Sequence, residues 1–219
     1  MAERIEWREL AYEAWIFLRI PLGIILVLFA TLVVYRMPVV LEKEKTEEAV
    51  ARIHAQKLTI ENVNGEHLPP PPDPTQVDAT IEGIDLNANG IRDDVELAIF
   101  EKYPNDTKIR AAELQYAMAL QMYLTEVFNS ETWIAAVQEN GRGSGCVFDS
   151  GPNVTLSDGN LKITQALKII RGRQNEVEEL VFNSVGRQQK RQEIIDRYTT
   201  SYGSEDQEDC DLGLETLSD

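Results

Sequence analysis

Between Asp85 and Glu96 the chain reads DLNANGIRDDVE. Short oxygen-bearing side chains recur at alternate positions, a glycine stands sixth and a glutamate twelfth. That arrangement suits a hard divalent cation. Calcium takes roughly six to eight oxygen ligands, and a tight loop brings alternate side chains to one point. Asp85, Asn87 and Asn89 would supply the first three ligands, and Gly90 would permit the sharp turn. Ile91 would offer its backbone carbonyl, Asp93 would act directly or through water, and Glu96 would close the site with both oxygens. With three formal negatives and two neutral amides, the expected cofactor is Ca2+ held with modest affinity, in a structural rather than a sensory role. The competing reading is an Asn-Gly turn leading into a capped helix, which explains Asn89-Gly90 and the acids without an ion.

The loop resembles the EF-hand calcium loop, and its D-x-N-x-N-G-x-x-D-x-x-E form is similar to loops of thrombospondin type 3 repeats and dockerin modules. Two departures limit what the resemblance implies. Arg92 stands where paired EF-hands usually carry an aliphatic residue, and residues 79–84 (ATIEGI) do not read as an entering helix. The resemblance therefore implies ion binding without a paired EF-hand domain. A calcium loop followed by a helical domain also resembles bacterial envelope proteins, a likeness that supplies no activity.

Other chemistry is sparse. His54 and His67 are the two histidines, and Cys146 and Cys210 the two cysteines, which excludes a cysteine-only zinc site. The run Asn140-Gly-Arg-Gly-Ser-Gly-Cys146 lacks the lysine of a phosphate loop, and no histidine follows His67 to activate Cys146. It reads as a flexible turn. Cys146 and Cys210 can pair as a disulfide or remain apart, and their spacing leaves both open. With no nucleophile–base pair or nucleotide loop, the chain is read as non-enzymatic, with no small-molecule substrate evident.

The elements that position the loop begin with an apolar segment. Ile20–Tyr35 carries no charge, and extension back to Trp15 meets only Arg19. Roughly twenty residues span the hydrocarbon core. Residues 15–36 are therefore expected to form an uncleaved single transmembrane helix contacting the lipid bilayer, with Trp15 and Tyr35 at its interfaces. A cleavable leader would end in small residues, and Leu32-Val-Val-Tyr-Arg36 does not. Trp7, Leu10, Ala11, Ala14 and Leu18 recur at helical spacing within a short N-tail (1–14), read as cytoplasmic and continuous with the same helix. Arg4, Arg8 and Arg19 on one side balance Arg36, Lys43 and Lys45 on the other, so flanking charge gives no orientation.

Residues 37–75 read as a solvated stalk helix, including an exposed His54, and a stiff linker built on the prolines at 69–72. Residues 76–203 read as the calcium-loop helical domain. Helices are expected over Asp93–Tyr103, Thr107–Phe128, a short stretch after Ser130, Leu161–Asn183 and Arg187–Tyr202, with 141–160 a loop. Ile194, Ile195 and Tyr198 are expected to face inward. Residues 204–219 form an acidic tail. The fold expected is all-α: one N-terminal transmembrane helix, then a small bundle led by an EF-hand-like calcium loop.

The formal charge of −16 makes nucleic acid an unlikely partner. A calcium site of modest affinity fills where calcium is plentiful, which points the C-terminal domain to the periplasm or outside, the bacterial inner membrane being favoured. The expected role is a membrane-anchored scaffold or adaptor docking a protein partner in an envelope assembly, with the mildly basic Lys162–Arg197 section as a candidate docking face. The alternatives are an anchored cell-envelope hydrolase working through carboxylates, and a cytosol-facing adaptor.

Overall fold

A computed structural model describes residues 3–155, 157–203 and 207–217, and among them it contains helices and no strand. α1 (Glu3–Ala55) is one uninterrupted helix with Pro21 and Pro38 inside it. Two compact units meet within that helix, residues 1–47 and 48–219. The first is long and apolar enough, near the N-terminus, to cross a membrane. Its described large apolar side chains, among them Phe17, Leu22, Leu26 and Phe29, are exposed along the helix. The side chains of Trp7, Leu10, Ala11 and Ala14 lie outside the described residues, although the backbone there is helical.

The second unit continues from the end of α1 through α2 (Ile60–Asn64), α3 (Asp93–Lys102), α4 (Thr107–Thr125), α5 (Ser130–Asp149), α6 (Asn160–Val181) and α7 (Val185–Tyr198), and ends in a 3₁₀ turn at Leu214–Thr216. Caps set several boundaries. The Asp106 carboxylate accepts from the Ile109 N–H at 2.9 Å, and Asn129 with Thr132 forms a reciprocal box at the start of α5. The cap of α5 is thus Asn129, and Ser130 is its first helical residue.

α4 is the axle. Every residue from Arg110 to Leu124 is buried, so this helix has no solvent face. An element buried all round must be covered all round, and that requirement recruits chain the sequence assigned elsewhere. Ile53, Leu58 and Val63 are core residues, with Val50 packed beside them. The helical unit therefore begins at Glu48, not at residue 76, and the stretch after it is a wall of the bundle rather than a solvated stalk. His54 is not exposed but half-buried, its Nδ1 2.9 Å from Glu139 Oε1.

A second correction concerns residues 141–160. α5 runs through Gly141, Gly143 and Gly145 to Asp149. Glycine here serves close approach, not flexibility: a Cβ on Gly143 would lie 2.9 Å from Tyr116 Cα of α4. A third concerns the C-terminal tail, of which residues 204–206 and 218–219 lie outside the described residues. Cys146 and Cys210 form a disulfide, Cα atoms 4.8 Å apart, joining α5 to residues 64 positions later. Leu217 is buried in the core. In α7, Ile194 is buried as expected but Ile195 is 41% exposed, and Tyr202 lies beyond the helix with its ring 5.7 Å from that of Trp133.

An ionic network ties these additions together. Glu139, on α5, meets His54, Lys57 at 3.0 Å and Arg142 at 2.6 Å, and Arg142 also meets Asp211 at 2.7 Å. The second Asp211 oxygen accepts from the Leu58 N–H. Burial pushes the Glu139 carboxyl up, but hydrogen bonds from His54 and Lys57 and the charges of Lys57 and Arg142 outweigh it and hold the group below its ordinary 4.5. A depressed carboxylate stabilises the fold above its unfolded pKa, and that stabilisation is lost as pH falls through the folded value. The thermal midpoint is expected to fall on acidification below pH 4.5. Glu139→Gln should lower the midpoint at pH 7 and flatten that acid limb, which a pH series of melts measures.

The two α5 glycines give a paired test. Gly141 has nothing within 4 Å of a built Cβ. Gly141→Ala should stabilise by about 0.5–1 kcal/mol through helix propensity, and Gly143→Ala should destabilise by about 1–3 kcal/mol through overpacking. Equal effects in chemical denaturation would contradict the helix.

Candidate metal centre

Residues 85–92 of the loop precede α3 and residues 93–96 form its first turn, with no helix entering the loop from the other side. Gly90 has φ +83°, and a Cβ there would lie 1.7 Å from Gln56 Nε2, so both conformation and space require glycine. Ala88 is also left-handed, at φ 54°. Asp85 organises the turn: one carboxylate oxygen accepts from the Asn89 N–H at 3.2 Å, the other from the Gly90 N–H at 2.9 Å. Gln56 Nε2 donates to the Asn89 carbonyl at 3.1 Å, fixing the loop's rim.

The side chains named from sequence do converge. Asn87 Nδ2 and Asn89 Nδ2 donate to the two Glu96 carboxylate oxygens at 3.0 and 2.9 Å. Asp93 Oδ1 accepts from the Leu86 N–H at 3.0 Å, across the base of the loop. Ile91 is buried, and its N–H donates to Asn89 Oδ1 at 2.9 Å. Asp93 and Asp94 open α3, where carboxylates favour the helix dipole. All six expected ligands thus lie on one short loop, with Asn87, Asn89 and Glu96 in direct contact.

The electrostatics leave a deficit of positive charge. Burial pushes the Glu96 carboxyl up to about 7, opposed by the two asparagine hydrogen bonds and reinforced by Asp85 and Asp93. Burial likewise raises Asp93, against the Leu86 N–H and with the charges of Asp85 and Asp94. Asp93 Oδ2 is buried with no hydrogen-bond partner. An orphaned buried carboxylate oxygen is costly unless something answers it. The donor set is all hard oxygen, carboxylates and amides, and so fits calcium rather than a softer metal. Among the described residues, no three His, Cys, Asp or Glu side chains gather closely enough to hold an ion by themselves.

Arg92, the loop's own cation, turns away from this centre. Its guanidinium is buried and donates to Asp94 and to the carbonyls of Leu180 and Val181 at the end of α6, at 2.8 and 3.1 Å. That role was not legible from the loop pattern, where Arg92 counted only as a departure. Arg187 of α7 acts in parallel, donating to the carbonyls of Val77, Thr80 and Ile81 and to Asp78. Gly83, at φ +70°, admits Arg92: a Cβ there would lie 2.2 Å from Arg92 Cδ. Two buried arginines thus clamp the loop and its approach onto the α6–α7 corner.

No protein-family model matches the chain, and neither the curated proteins nor the solved structures contain a significant match to it.

Arg92→Met should cost about 2–4 kcal/mol, since it leaves two helix-end carbonyls without a donor. Arg92→Lys should rescue little of that, because an ammonium lacks the planar fork that reaches Asp94 and both carbonyls at once. Urea denaturation of the two variants measures the difference.

Proposed function

We propose that the chain is a membrane-anchored, calcium-stabilised helical scaffold, displayed outside the cytosol and docking a protein partner. The observation that carries the ion is the buried Asp93 oxygen with no hydrogen-bond partner among the described residues, close to a buried Glu96 carboxylate in a loop rich in further carboxylate and amide oxygens. Calcium would be held by Asp85, Asn87, Asn89, the Ile91 carbonyl, Asp93 and Glu96, and would supply charge neutralisation rather than chemistry. Arg92 and Arg187 would pass the resulting order to α6 and α7. The apolar first unit supports the anchor. The Cys146–Cys210 disulfide supports an oxidising compartment, since cytosolic thiols are kept reduced. The buried carboxylates of Glu113 and Glu139 are both engaged by cations, Arg173 at 2.8 Å and Lys57 at 3.0 Å, which supports a structural rather than a catalytic role for them.

The full chain in detergent should melt higher in calcium than in chelator. At about one hundred times the dissociation constant the gain is about 2.7 kcal/mol, a rise of about 5–10 °C for a unit of this size. The rise should require high micromolar to millimolar calcium, should not be matched by magnesium, and should vanish in Asp85→Ala and Glu96→Gln. No shift in the native chain would leave Asp85–Glu96 as a turn and remove the ion from the proposal. A shift already complete at low micromolar calcium would make the site a sensor and return the unit to the cytosolic side.

A further inference from the structure

An open cleft of about 880 Å3 lies between the last turn of α5, the 151–154 turn, the first half of α6 and the disulfide-tied segment 207–216. Its floor is apolar. Phe148 is 51% and Leu167 37% exposed, with Leu212 and Leu214 half-buried beside them. Its rim carries Asp149, Glu208, Asp209 and Glu215, and no Lys, Arg or His is among the described residues that line it. Burial and the nearby Asp209 raise the Asp149 carboxyl, so the acids already crowd one another. An occupant should be apolar in its centre and cationic at its edges.

The same unit carries such a surface. On α6, Leu161, Thr164, Lys168 and Arg171 fall at i, i+3, i+7 and i+10, which is one helical stripe. All four are exposed, Leu161 at 73%. Leu167, which lines the cleft, adjoins this stripe on the helix. The first half of α6 has no acidic residue between Leu161 and Asn175. An acidic cleft with an apolar floor therefore lies directly beside a basic ridge headed by the exposed Leu161. Two-fold pairing needs this kind of self-complementary patch, because each copy offers its ridge to the other's cleft and both contacts form at once.

We infer that the cleft is filled by the α6 ridge of a second copy of this chain, giving a symmetric dimer through the helical units. Leu161 would seat on the Phe148–Leu167 floor, and Lys168 and Arg171 would meet the Glu208 and Glu215 rim. Cleft and ridge both belong to the helical unit, so the dimer depends on neither the calcium nor the membrane reading.

The test uses the full chain in mild detergent, one pool labelled with a donor dye and one with an acceptor, with energy transfer followed against dilution. Transfer above the level of random proximity is expected, weakening as salt rises from 0.1 to about 1 M because the rim pairs are screened. Lys168→Glu/Arg171→Glu should weaken association by at least about tenfold, and Glu208→Lys/Glu215→Lys likewise, as like charges then face each other. These side chains are all exposed, so the variants should keep the native thermal midpoint. Mixed with each other, the two reversed proteins should regain transfer, because one of the two symmetric contacts is restored with its signs exchanged. Transfer that ignores both reversals would place association elsewhere, in the apolar helix for example, and overturn the proposal. So would a chain that stays monomeric at all concentrations, which would leave the cleft to a foreign partner.

Discussion

A helix with no solvent face is the constraint on which the rest of the helical unit depends. α4 buries fifteen consecutive residues, Arg110 to Leu124, and six of them are charged, amide or phenolic. Water cannot answer those groups, so they must find partners in protein, and five of them draw those partners from other elements and segments. Arg110 reaches the carbonyls of Val63, Tyr103 and Pro104. Glu113 takes Arg173 of α6, and Tyr116 donates to Glu178 on the same helix. Gln115 exchanges two hydrogen bonds with the backbone of Asp209 and Asp211, and Gln121 donates to the carbonyl of Glu82 just before the candidate metal loop. Polar groups inside a low-dielectric core are severe when unpaired and specific when paired. Here they determine where every surrounding element must lie.

The surrounding irregular segments create the opposite problem, carbonyls without donors. Buried arginines resolve it. A guanidinium offers five N–H groups in a rigid fork, enough to satisfy several carbonyls that no helix or sheet would pair. Arg187 does this for residues 77–81 and Arg92 for the end of α6. The charge on Arg92 is answered by Asp94 and that on Arg187 by Asp78. The loop that carries the candidate ligands is thus held from outside by arginines, while its interior holds an excess of carboxylate. This division of charge leaves the loop interior, not its clamps, short of positive charge.

Much of the architecture was legible in the sequence. Helix periodicity and the turn before Pro104 placed α3 and α4, and the apolar run through Ile20–Tyr35 placed the uninterrupted first helix. The misreadings share a cause. A glycine-rich stretch was taken for a turn because sequence cannot see Tyr116 lying against Gly143. The segment around His54 and Lys57 was taken for a stalk, and the C-terminus for a tail, because each has few apolar residues of its own. Their attachment runs through Glu139, Arg142 and Asp211, residues up to 153 positions from their partners. Charge pairing over such separations leaves no local pattern.

For the candidate site the division is similar. The sequence alone determined which side chains could meet, because a twelve-residue loop with glycine at its turn brings alternate side chains together by local geometry. It also determined the apolar helix, whose length and lack of charge depend on nothing else. Only the tertiary structure decided that Asp93 keeps an unanswered oxygen, that Arg92 turns outward to α6, and that the cysteines pair. It alone set an acidic cleft beside a basic ridge. Those outcomes depend on burial and on which distant groups come within a few ångströms, and burial is a property of the packed unit rather than of any segment within it.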